Sequence, residues 1–221
     1  MELREVLRTT FSAREFTDEP LPDSALREML ELARFAPSGG NRQGARVIVV
    51  RDAAVKARIA ELAAPAAKRY MAQSRAGESP FTTVVASKVT DEQAAAMPVA
   101  STFSHPYLKA PVIVVVCVDL RVVASIDAGL PRVGIASGAS IYPLAWSLLL
   151  AARELGYGGT LTTMPIYEEA GLRELLGIPE YVAVAAVIPL GRPVKQLTKL
   201  KRQPVDAFTW TDRWEGPPLG S

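Results

Sequence analysis

The chain has 221 residues, 49% of them hydrophobic and 22% charged, enough for one domain with a sizeable core. Its 25 basic and 23 acidic residues leave a net charge of +2, too small to point to a nucleic-acid or membrane-surface partner. One cysteine excludes an internal disulfide, and a single histidine beside it leaves little for a zinc site.

Along the chain, MELREVLRTT is charged and amphipathic rather than a signal peptide, and Leu3, Val6, Leu7 and Thr10 fall at helical spacing. After LPDS, a helix-start signature, Leu26, Met29, Leu30 and Ala33 repeat that spacing, and the helix is expected to reach Ala36. The loop PSGGNRQG follows. Residues 45–50 and 111–118 are β-branched runs that predict buried strands; between them AAVKARIAELAAPAAKRYM reads as a helix until Pro65 disturbs it. Residues 73–107 show no period and carry Gly77, Pro80, Pro98 and Pro106, which predicts a lid or substrate insertion. A long apolar helix over 138–156 comes next, with Ile141, Leu144, Ala145, Leu148, Ala152 and Leu155 on one face and Gly156 as its stop. The turn YGGTLTT leads to a short helix started by Pro165, with Glu168 and Glu169 in its first turn. YVAVAAVIPL is a third strand, and residues 192–221 form a basic, aromatic, aperiodic tail. The longest apolar run, APVIVVVCV, is too short to span a bilayer, so a single soluble, cytoplasmic domain over 1–221 is expected.

Several chemistries lack their residues. No G-x-G-x-x-G follows a strand and no G-x-x-x-x-G-K-[ST] occurs, so neither a Rossmann dinucleotide site nor a P-loop is supported. GIASG at 134–138 has its serine one place out of register for a nucleophile elbow. His105 is the lone imidazole, and Cys117 sits among valines as a buried apolar thiol. With acid–base, metal and thiol catalysis poorly provided for, an enzyme of this sequence would use a cofactor, and no catalytic side chain is assigned. PSGGNRQG suits a flavin mononucleotide: it offers exposed amides, Ser38, and the side chains of Asn41 and Gln43, which both donate and accept. The alternative is structural, with Gly39 or Gly40 as a left-handed helix cap.

Five segments in order, TFSAREF, ARFAPSGGNRQG, GASIYPLAWSLLLAARELGYGGTLTT, LGIPEYVAVAAVIPLGRP and KRQPVDAF, resemble the flavin-dependent nitroreductase family over nearly the whole chain. The resemblance implies an α+β fold with a central mixed β-sheet sandwiched by helices, in an intertwined homodimer with an FMN at each of two interface sites. TFSAREF is similar to the family's basic-x-Ser-x-basic phosphate segment: Ser12 and Arg14 match, Thr10 stands where a basic residue is common, and Arg8 one turn back is a candidate replacement. Pro37, Ser38, Gly39, Asn41 and Gln43 match the loop that reaches the flavin from the partner subunit, and Ser140 matches a polar flavin contact. Leu161, Thr162 and Thr163 match the segment beside flavin N5, where a backbone amide near Thr163 would donate to N5. Arg202 matches a C-terminal phosphate arginine, with Lys199 and Lys201 near it. Gly44-Ala45 and Trp146-Ser147 depart from the Pro-Trp and Gln-Asn pairs of relatives.

The activity so implied is FMN-dependent oxidoreduction. NADPH or NADH passes hydride to the flavin, and a flat, electron-poor acceptor such as a nitroaromatic or quinone follows in the same slot, shaped by the insertion at 73–107. Two other readings stay open. One is a reductive dehalogenase or other flavin dehydrogenase on the same fold; the other is a flavin-storage or interaction module without turnover.

Overall fold

Apolar β-branched runs without polar alternation call for burial on both faces, and the runs at 112–119 and 182–191 form that way. The run at 45–50 does not: it lies at the sheet edge, with Val50 buried but Arg46 and Val49 exposed. The computed structural model describes residues 1–220; Ser221, the end of the expected tail, lies outside the described residues. Strands β1 (Ala45–Val50), β2 (Val112–Asp119), β3 (Gly158–Gly159) and β4 (Val182–Gly191) make one sheet in the order β1-β2-β4-β3. The helices are α1 (Leu3–Thr9), α2 (Asp23–Ala33), α3 (Ala53–Arg75), α4 (Asp91–Ala95), α5 (Ser101–Lys109), α6 (Tyr142–Glu154) and α7 (Glu169–Leu176). Val112, Val114, Val116, Ile188 and Leu190 on one sheet face pack with Leu26 and Met29 of α2 and Ala145 and Leu148 of α6. Ile113, Val115, Cys117 and Val187 on the other face meet Ile59 and Leu62 of α3, Leu172 of α7 and Tyr107 of α5. The expected helix–sheet–helix sandwich is therefore present. The register shifts between Val116 and Cys117, leaving Ala185 of β4 as a bulge whose carbonyl accepts the Tyr142 hydroxyl at 3.3 Å.

Four sequence expectations change. All three strand pairings are antiparallel, and the parallel part of a mixed sheet is reduced, among the described residues, to one bridge between Ser12 and Gly159. Helix α3 does not break at Pro65 but continues for ten residues beyond it, to Arg75. Pro65 lies on the exposed side of α3, where water can solvate the carbonyl freed one turn back. Helix α2 stops at Ala33 instead of Ala36, and Gly40 turns left-handed seven residues later (φ 60°), so the loop is not its cap. The stretch 73–107 is helical in part: α3 extends into it, Thr90 and Gln93 form a capping box that starts α4, and α5 occupies its end, with irregular backbone over 76–90. Ala72, Val89, Ala94 and Met97 give it a small core of its own. Among the described residues no helix is long and apolar enough to cross a membrane.

Candidate functional site

The site begins with two glycines. A Cβ on Gly159 would meet the Pro189 carbonyl oxygen at 2.6 Å, and one on Gly158 would meet Pro193 Cγ at 3.0 Å and Ala13 Cβ at 3.3 Å. Without side chains, β3 lies close against both β4 and the segment after α1. The Ala13 amide then donates to the Gly159 carbonyl at 3.0 Å, and this contact sets Arg14 beside residues 160–163.

Those residues continue the alternation of an edge strand. The Thr160 and Thr162 amides donate to the Pro189 and Val187 carbonyls of β4 at 3.3 and 3.0 Å. The Leu161 and Thr163 amides consequently face the opposite edge, where no acceptor among the described residues meets them. Both residues line a cavity of about 440 Å³, shared with Arg14, Tyr70, Phe103, Pro106, Tyr107 and Met164. Its lining combines aromatic and apolar side chains with Thr102, Thr160 and Thr162, the Arg14 guanidinium and those two main-chain donors. That donor set fits a flat ring with acceptor atoms along an edge. Among the described residues the Arg14 side chain has one hydrogen bond, from Nη1 to the Ser12 carbonyl at 3.3 Å, so most of its donors are open to a ligand.

The other residues expected at the site lie elsewhere in the protomer. Ser38, Gly39, Asn41, Gln43 and Ser140 form a second cluster. There Ser38 Oγ accepts from the Gln43 amide at 2.9 Å, and Ser140 Oγ accepts from the Gly39 amide at 3.0 Å. Gly40, Asn41 and Gln43 all take left-handed backbone (φ 60°, 51° and 50°), which turns the exposed Asn41 and Gln43 side chains outward from a tightly bonded loop that begins at the exposed Pro37. Arg202 belongs to a third place, an open cavity of about 710 Å³ that it lines with Arg8, Thr198 and Lys199. Ser12 is exposed in the bridge to Gly159. Thr10 is turned inward, 5% exposed, with its hydroxyl donated to the Val6 carbonyl at 2.7 Å. The geometry thus brings Arg14, Leu161, Thr162 and Thr163 together, groups the loop with Ser140, and leaves Arg202 with Arg8.

Residues 7–192 match the nitroreductase family model. The chain belongs to the nitroreductase family. Among its relatives, the NADH dehydrogenase of Thermus thermophilus is 29% identical over 195 residues, 88% of each chain. Human iodotyrosine deiodinase 1 is 28% identical over 214 residues, 95% of this chain and 68% of that one. The NADPH:FMN oxidoreductase of Vibrio harveyi complexed with NAD+ shares the fold, with a TM-score of 0.68 at 19% identity over 98% of this chain and 80% of that one.

Within this family member, the motifs missed some wall residues. Tyr70 comes from the exposed side of α3 and stands 5.9 Å from the Phe103 ring, centroid to centroid. Nothing in the helical pattern of α3 distinguishes Tyr70 from other exposed residues; only the arrival of α5 beside it does. Phe103 and Tyr107 lie in the stretch expected to shape the acceptor slot, where they and Phe81 and Met97 are the apolar side chains on offer, and both line the cavity. The helix that carries them was not readable from an aperiodic stretch. Burial pushes the Tyr107 phenol up to about 12 and the Cys117 thiol up to about 11, so both stay protonated near neutrality.

Proposed function

We propose that the protein is an oxidoreductase of nitroreductase type that binds FMN, takes hydride from NADPH or NADH, and reduces flat, electron-poor acceptors such as nitroaromatics or quinones. The observation that carries this reading is the pair of Leu161 and Thr163 amides, without an acceptor among the described residues, lining one cavity with Arg14 and aromatic side chains. FMN supplies the hydride relay between donor and acceptor when bound. The chain's part would be to hold it: the Leu161 and Thr163 amides and the Arg14 guanidinium would donate to its acceptor atoms, and Phe103, Pro106 and Met164 would keep water from it. The phenol of Tyr107, held protonated by burial, is a poor proton shuttle, so protons come from solvent.

A homodimer completes the site. None of the loop residues 37–43 lines the 440 Å³ cavity of its own protomer. Exposed apolar residues are available for a second copy to cover, among them Ile126 at 93% exposure, Ile135 at 71% and Trp214 at 77%, with Tyr142 and Trp146 of α6. In the dimer, Asn41 and Gln43 of one chain serve the flavin of the other, and the tail with Phe208, Trp210 and Trp214 contributes to the contact.

The purified protein should be yellow with one FMN per chain, sediment as a dimer, and oxidise NAD(P)H when a nitroaromatic is added. A colourless protein that takes up no FMN on incubation overturns the reading; a monomer that retains FMN overturns the shared site. The likeness to iodotyrosine deiodinase supports a second reading, reductive dehalogenation, which an arm with halogenated phenols separates from nitro reduction.

A further inference from the structure

Tyr107 joins α5 to the edge strand at one point. Its side chain is buried at 3% exposure in the core beneath the cavity, and its hydroxyl lies 3.4 Å from Thr162 Oγ1. The same Oγ1 accepts from the Met164 amide at 3.3 Å. A threonine hydroxyl has two lone pairs and one proton. Either hydroxyl could donate across this 3.4 Å contact; the phenol, as the stronger acid, is assigned as the donor and the aliphatic hydroxyl oxygen, the better acceptor, as its partner. Both lone pairs of Oγ1 are then occupied. No acceptor among the described residues takes the Thr162 proton, and Thr162 lines the cavity.

We infer that Tyr107 is a positioning residue: it fixes the Thr162 hydroxyl as an obligate hydrogen-bond donor to the polar edge of a flavin in the cavity. The inference rests on the proposed FMN site and adds a side-chain donor to the Leu161 and Thr163 amides. Burial supports it by keeping the phenol protonated up to about pH 12, so the donor does not reverse anywhere in the ordinary pH range. It also gives α5 a purpose beyond its wall: a shift of α5 would free the Thr162 hydroxyl to turn and change the hydrogen bonding of the ring.

The experiment compares Tyr107→Phe, Thr162→Val, the double variant and Thr162→Ser. FMN dissociation constants, the midpoint potential of bound FMN and the thermal midpoint are measured for each. Tyr107→Phe should weaken FMN binding roughly two- to tenfold, the range for one neutral hydrogen bond. Thr162→Val should weaken it at least as much and shift the potential in the same direction. The double variant should be no worse than Thr162→Val alone, and Thr162→Ser should stay close to wild type while remaining sensitive to Tyr107→Phe. Wild-type affinity and potential in Tyr107→Phe overturn the inference, as do losses that multiply in the double variant, since these describe a packing role. If the wild-type protein itself binds no FMN, the functional reading fails first and this inference with it.

Discussion

Replacing Arg14 by alanine separates two placements of the same residue. The motif expectation puts Arg14 and Arg202 together on the flavin phosphate, so that riboflavin, which lacks it, should ignore both substitutions. The structure puts Arg14 in the ring-sized cavity with Leu161 and Thr163, and Arg202 in another cavity with Arg8 and Lys199. A hydrogen bond to a charged group contributes about 1.5–3 kcal/mol. Arg14 is exposed and held internally only by the 3.3 Å contact to the Ser12 carbonyl, which argues for the low end, about 1.5 kcal/mol or about tenfold in Kd. Arg14→Ala should therefore weaken FMN and riboflavin alike by about tenfold, whereas Arg202→Ala should weaken FMN and leave riboflavin unchanged. Fluorescence titration of the apoprotein at fixed ionic strength reads all four constants. An Arg14→Ala protein that loses FMN but binds riboflavin as before would show that this arginine meets the phosphate, and the ring could not then occupy the cavity as argued.

Gly159→Ala should cost about 1–3 kcal/mol of stability, because the new Cβ would stand 2.6 Å from a backbone oxygen that cannot move cheaply. The shift of β3 should also lower FMN affinity, and unchanged urea denaturation with unchanged flavin binding would contradict the close-approach argument. Asp127 accepts from the Ile135 amide at 2.8 Å and from Arg132 at 2.7 Å, and these bonds, the amide foremost, hold its carboxyl down at about 2. Its folded value lies below the unfolded one, so its stabilisation is complete above about pH 4 and fades as pH falls towards 2. Amide exchange in residues 127–136 should rise over that window in wild type, and Asp127→Asn should abolish the pH dependence. Phe103→Ala should leave FMN bound but change kcat/KM differently for small and large acceptors; an equal change for all would deny α5 a part in acceptor choice.

Much of this architecture follows from local chemistry. The β-branched runs of β2 and β4 and the helical spacing in α2 and α6 state what must be buried, because each period admits one backbone conformation that hides it. The like run of β1 instead lies at the sheet edge, half exposed. Motif order was legible too, and it pointed to the family. What escaped depends on neighbours distant in sequence. Gly158 and Gly159 have no strand propensity; they form β3 because only bare backbone fits between Pro189, Pro193 and Ala13. Pro65 is tolerated because its side of α3 faces water, and α5 becomes a cavity wall only where it meets Tyr70 and Thr162. A sequence names the groups that can bind a flavin. Which of them share a cavity is set by closures over long stretches of chain, such as the separation of 101 positions from Gly39 to Ser140, whose entropic cost only the packed core offsets.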